Sequence, residues 1–129
     1  MSVADRRTIM APGAPNAIGP YSHAVVTGQI VYTAGQAGLN PETRQLESGI
    51  EAQTRRTMLN LEAILTAAGS SLKNVLKTTV FLADMNDFQA MNKVYAEFFP
   101  QDPPARTTVQ AAKIPLGALV EIEAVAVLD

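Results

Sequence analysis

The chain has no cysteine among its 129 residues and a single histidine, His23. The first absence excludes disulfides, thiolate nucleophiles and cysteine-based zinc sites, and fits a reducing compartment. The second excludes multi-histidine metal centres and the HExxH pattern, and no Walker or dinucleotide glycine motif occurs. An excess of either charge is missing too. Ten basic against twelve acidic side chains leave a net charge of −2 and a pI near 5.3, without the basic field that phosphate backbones reward. Nucleic acid is therefore not an expected partner. No run approaches the roughly 18 apolar residues of a membrane span, and the N-terminus has no apolar stretch of signal-peptide length. The expectation is a soluble, cytoplasmic protein without a membrane partner. Arg6 and Arg7 admit an organelle-targeting reading, against which stand Asp5 and the shortness of the segment.

What is present suits one domain spanning residues 1–129, with enough chain to bury a real core. A strand near Thr8 is followed by "APGAPNAIGP", residues 11–20, whose prolines and glycines mark an irregular loop. "YSHAVVTGQIVYTAG" reads as a hairpin turning near Thr27 and Gly28. "SGIE", Ser48 to Glu51, has the form of a capping box, and Ile50, Met58, Leu61 and Leu65 recur at helical spacing up to a stop at Gly69. Residues 74–84 form a strand apolar on both faces, which belongs inside a sheet. Asn86 can cap a second helix, lined on one side by Phe88, Met91, Tyr95 and Phe98 and ended by Pro100. "ARTTVQAA" and "ALVEIEAVAVL" give two final strands joined through "KIPLG". The order predicts an α+β fold, a six-stranded mixed sheet with two helices on one face. The other face would carry more apolar area than a monomer usually shows, which predicts a homo-oligomer.

The last strand poses a problem of charge. Strand parity puts Val120, Ile122, Ala124, Ala126 and Leu128 on one side, and Glu121 and Glu123 on the other with Val125 and Val127. A carboxylate beside Val125 is costly to desolvate without a partner. If residues 105–112 and 116–126 pair as a hairpin, Arg106 falls almost opposite Glu121 on a shared face. Two such charges ~4 Å apart attract by roughly 4 kcal/mol at an effective dielectric of 20. Two readings stay open: a structural ion pair, or a carboxylate-binding arginine beside an acid/base glutamate. Glu123 reads as rim or solvent-facing. Tyr21, on the proline-fixed loop "GPYS", can donate into a cleft or pack its ring on the core edge. Asn92 lies beside the apolar stripe of the second helix, as a cleft residue or a boundary one. His23 reads as a boundary residue rather than a base, since on a strand Ser22 and His23 point to opposite faces.

Taken together, "GPYS", "YTAGQAGLNP", "KTTVFLADMNDFQAMNKVYAEFF", "PAR" and "VEIEAVAV", in order from about Ile18 to Val127, resemble the RidA/YjgF family of enamine/imine deaminases. The resemblance implies a chorismate-mutase-like subunit assembled as a homotrimer, with a cleft at each subunit interface. It implies hydrolysis of 2-aminoacrylate and 2-aminocrotonate, or their imine tautomers 2-iminopropanoate and 2-iminobutanoate, to 2-oxo acids and ammonia. No cofactor and no metal would be needed. Such enamines leave pyridoxal-phosphate dehydratases and damage other enzymes. On this resemblance Arg106 matches the substrate-carboxylate anchor, Glu121 the water-activating acid/base, Tyr21 the loop tyrosine, Gly35 the cleft glycine, and Asn92 the helix asparagine near the neighbouring subunit. The sequence departs from many bacterial members at Thr108, where cysteine is frequent, and at His23, where glutamine is usual. Thr107 is commonly smaller. Thr108 can then contribute its backbone carbonyl, not a thiol. The competing class is a non-catalytic module that binds small carboxylates as a metabolic sensor. A ribonuclease reading fits poorly with the acidic pI and the lack of a basic, aromatic-lined strip.

Overall fold

In the computed structural model, which describes residues 5–129, two helices cover one face of a seven-stranded mixed sheet. The strands are β1 (Arg7–Ile9), β2 (Ala24–Thr27), β3 (Ile30–Thr33), β4 (Gln36–Ala37), β5 (Val75–Leu82), β6 (Ala105–Gln110) and β7 (Val120–Val127). The helices are α1 (Ile50–Ala68), between β4 and β5, and α2 (Phe88–Phe98), between β5 and β6. The sheet runs β1-β2-β3-β7-β5-β6, and the two-residue β4 also pairs with β7. Every neighbour pair is antiparallel except β5 with β6, which α2 joins as a crossover.

The expected hairpin forms between β2 and β3, with Gly28 at φ 55 in its turn. α1 ends at Gly69, which donates to the Thr66 carbonyl at 3.1 Å and whose left-handed φ of 90 turns the following Ser70 N–H back to the Leu65 carbonyl at 2.8 Å. Its start differs from the expected capping box. Gly49 holds the N-cap position and no side chain caps the helix, so Ser48 falls one residue early and Glu51 lies at the second helical position, out of frame for the reciprocal bonds. α2 is likewise not capped by Asn86. A single 3₁₀ turn over Met85–Asp87 precedes it, and there Asp84 accepts from the Asn86 N–H at 2.9 Å.

One cluster of buried side chains fills the space between helices and sheet. Met58, Leu61, Ile64 and Leu65 of α1 and Met91 and Tyr95 of α2 meet Val80 and Leu82 of β5 and the Val120/Ile122/Ala124/Ala126 side of β7. Two polar side chains tether the chain around the future site. Asn60 donates to the carbonyls of Ala37 and Leu39 at 3.1 and 2.9 Å. Gln53 accepts from Leu119 N–H at 2.8 Å and donates to the Glu47 carbonyl. At Gly38 the backbone presses so closely on Gln53 that an added Cβ would lie 2.5 Å from the Gln53 Cα. β4 and the entry to β7 are thereby held against α1.

The opposite face of the sheet has no helix over it. Phe81, Val125 and Val127 are half-buried there, and Tyr32 and Val109 are 51% and 42% exposed. Strand parity puts all five on the face away from the core. No helix among the described residues is long and apolar enough to cross a membrane.

Candidate active site

Glu121 projects from β7 toward the open face, between Phe81 of β5 and Ala37 of β4. Its carboxylate runs alongside the backbone of Gly35: an added Cβ there would sit 2.6 Å from Oε2. Since Gly35 does not have a positive φ, glycine is required here for space and not for backbone freedom. Across the cleft stands the loop bearing Tyr21, folded tightly by the Tyr21 N–H donating to the Gly19 carbonyl at 2.9 Å. The Tyr21 hydroxyl in turn accepts from the Ile18 N–H at 3.3 Å. Pro15, Leu39 and Leu116 complete an apolar rim around a cavity of about 290 Å³. Burial pushes the Glu121 carboxyl above the ordinary glutamate value, and the like charge of Glu123 pushes it further.

Arg106 lies elsewhere. Its guanidinium rests 4.8 Å from the ring centre of Tyr95 and 5.6 Å from that of Phe88, both on α2. Tyr95 is anchored by a 2.7 Å hydrogen bond between its hydroxyl and that of Thr78, the β5 residue paired with Arg106. Burial raises the Tyr95 pKa, opposed by the Thr78 hydrogen bond and the Arg106 charge, so the phenol stays neutral. Asn92 lines the same hollow as Arg106, together with Tyr95, Phe99 and Pro104. The side-chain oxygens of Asn92 and Thr108 are both buried, with no hydrogen-bond partner among the described residues.

The expected meeting of Arg106 and Glu121 within one chain does not occur. β6 and β7 form no hairpin, because β5 lies between them, parallel to one and antiparallel to the other. Arg106 is level with Thr78 of β5 and Glu121 with Phe81. An odd offset along one strand means opposite faces, so the guanidinium faces the helices and the carboxylate the open side. The site residues read from the sequence thus fall into two groups, Tyr21, Gly35 and Glu121 in one cleft, and Arg106 with Asn92 in the other. Thr108 shares the Arg106 face of β6, two residues further on. Neither Arg106 nor Glu121 has a salt-bridge partner among the described residues. The aromatic shelf of Phe88 and Tyr95 under Arg106 is not anticipated by the sequence, in which both rings read as core stripe. Its signal was an arginine on a strand that follows an aromatic-striped helix.

The family model described as Endoribonuclease L-PSP, which covers the YjgF/RidA proteins, matches residues 11–128. The chain belongs to the YjgF/RidA family. Among its relatives, the human 2-iminobutanoate/2-iminopropanoate deaminase is 45% identical over 128 residues, covering 98% of this chain and 93% of that protein. A RutC family protein of Pyrococcus horikoshii is 47% identical over 122 residues, covering 94% and 97%. The structure of E. coli TdcF with bound serine superposes with a TM-score of 0.91 at 40% identity, covering 95% of this chain and 99% of that one. This RidA-family chain therefore has the fold of its relatives over nearly its whole length.

Proposed function

We propose that the protein is a hydrolytic deaminase of 2-aminoacrylate and 2-aminocrotonate and their imine tautomers, 2-iminopropanoate and 2-iminobutanoate, working in a site shared between two copies of the chain in a homotrimer. The observation that carries this is the division of labour between the two hollows. One holds an acid without a cation, and the other a cation without an acid. A small anionic imine needs both, and the sheet separates them within a chain. Packing the uncovered faces together in a closed ring would remove Tyr32, Val125 and Val127 from water and bring the Glu121 cleft of one copy to the Arg106 hollow of the next. The deaminase name of relatives such as the human protein supports the choice of reaction.

In this arrangement Arg106, already oriented by its aromatic shelf, offers two parallel N–H groups to the substrate carboxylate, a geometry that lysine cannot reproduce. Glu121 takes a proton from water as the water oxygen adds to the C=N carbon. The carboxyl returns that proton to nitrogen to give a carbinolamine, then carries the carbinolamine hydroxyl proton to the amino group in the same way, and ammonia leaves as the new C=O forms. An enamine enters the same route once its terminal carbon is protonated to give the imine. The raised pKa suits Glu121 to both proton transfers, a role contributing typically 10² to 10⁴-fold. Tyr21 is positioned to donate to the adding oxygen, and the unpartnered oxygen of Asn92 to accept from the substrate or the neighbouring copy.

The test is ammonia release from freshly generated 2-aminoacrylate. Glu121→Gln is expected to abolish it, and Arg106→Lys to lower kcat/KM by about 100-fold with an unchanged circular dichroism spectrum. The serine bound in TdcF favours a second reading, a cleft that captures small carboxylates without converting them. Saturable binding of 2-oxobutanoate with no turnover by the wild-type protein would decide for it. A nucleolytic role, which the family description invites, has no support in a net charge of −2.

A further inference from the structure

His23 is 2% exposed, begins at the foot of β2, and takes no part in the chemistry above. Both ring nitrogens are nonetheless engaged by backbone. The Ala11 N–H donates to Nδ1 at 2.8 Å, and Nε2 lies 2.8 Å from the Pro15 carbonyl. An amide N–H can only donate and a carbonyl can only accept, so the ring is fixed as the tautomer with its proton on Nε2. The backbone carbonyl of the same residue accepts from the Ala34 N–H at 2.8 Å. Three stretches of chain thus converge on His23: residues 11–15, the start of β2, and residues 34–35. The first and last of these line the Glu121 cleft, as does Tyr21 in the loop that leads into β2. Pro15 and Tyr21 stand on one side, and Ala34 and Gly35, against which the carboxylate lies, on the other.

We infer that His23 is a positioning residue, a two-point latch that sets the separation between the Tyr21 loop and the Gly35 segment and so the place of Glu121 against its substrate. The residues 11–20 have no strand or helix of their own beyond the turn of Ala14 N–H on the Ala11 carbonyl, so few other bonds define their position. A latch of this kind needs an acceptor and a donor on one side chain, facing opposite ways. Glutamine can supply both, with its amide oxygen toward Ala11 and its amide nitrogen toward Pro15. Leucine fills similar space and supplies neither. The kinetic consequence rests on the deaminase reading, whereas the mechanical one does not.

The experiment compares wild type, His23→Gln and His23→Leu by hydrogen exchange and by kinetics on 2-iminobutanoate, at a temperature well below each melting point. Exchange of the Ala11 and Ile18 amides is expected to quicken about tenfold or more in His23→Leu and to stay near wild type in His23→Gln. The leucine variant is expected to lose about tenfold or more in kcat/KM, mostly in kcat, with the glutamine variant within about threefold of wild type. Wild-type amide protection and wild-type kinetics in His23→Leu would overturn the latch. Fast exchange with unaltered kinetics in an active enzyme would reduce it to a purely structural role and also overturn it. Should the leucine variant not fold, the ring ¹⁵N spectrum of the wild-type protein decides: a bare Nδ1 and a protonated Nε2 are required, and the reverse tautomer refutes the proposal. A wild-type protein without turnover would sink the deaminase reading alone, and the exchange rates would still judge the latch.

Discussion

Glu121 is tolerated on a strand that is apolar apart from it and the exposed Glu123 because a glycine leaves room for its carboxylate beside a cavity open to solvent. Its raised pKa has a kinetic sign. In the proposed mechanism the carboxylate accepts the first proton, so activity is expected to fall as pH drops through the folded-state pKa, with that acid limb above the ordinary glutamate value of 4.5. Glu123→Gln removes the like charge on the same face and eases ionisation of Glu121. The acid limb of kcat/KM is expected to move to lower pH, and a profile that stays put or moves upward would contradict the account. Gly35→Ala tests the packing side of the same residue. The added methyl group would overlap Oε2 and turn the carboxylate away, lowering kcat/KM by about tenfold or more while leaving the melting temperature nearly unchanged, since no positive φ is involved. At this scale the sequence made the chemistry legible, in that an acid in an apolar strand demanded an environment. It did not make the partner legible, because the hairpin that would set Arg106 opposite Glu121 does not form, and only the family resemblance points to that residue.

The elements legible from sequence were those specified locally. The β2–β3 turn at Gly28, the end of α1 at Gly69 and the interior place of β5 follow from glycine conformation and from apolar residues on both faces. Gly69→Ala is expected to destabilise by about 1 kcal/mol, because φ 90 strains any side chain while the space around the added carbon is free. Chemical denaturation would show it as a lower midpoint with an unchanged slope. What escaped the sequence was strand partnership. The 111–119 connection is compatible with a hairpin, but β6 lies on the outer edge of β5, joined to it through α2, and β7 pairs with the other edge of β5. The two-residue β4 has too little pattern to announce itself, yet it places Ala37 beside Glu121. A register known only to within one residue leaves the facing of every side chain undecided, which is why the site residues were identified before their grouping was.

For the molecule as a whole, the uncovered sheet face and the two half-furnished hollows are one feature. A chain that buried Tyr32, Val125 and Val127 under a third layer of its own would have nowhere to bring an acid to its arginine. An uncovered apolar face was legible from two crossovers of the same hand, because that depends on the order of elements and not on register. The central claim is that catalysis takes place between copies, and subunit mixing tests it most directly. Alone, Glu121→Gln is expected to be inactive and Arg106→Lys to keep about one hundredth of wild-type kcat/KM. Co-expressed in equal amounts and assembled at random, they are expected to regain about one quarter of wild-type deaminase activity, because one site in four then joins an intact Arg106 from one copy to an intact Glu121 from the next. Mixed assemblies as inactive as their parents, beside an active wild type, would contradict the account.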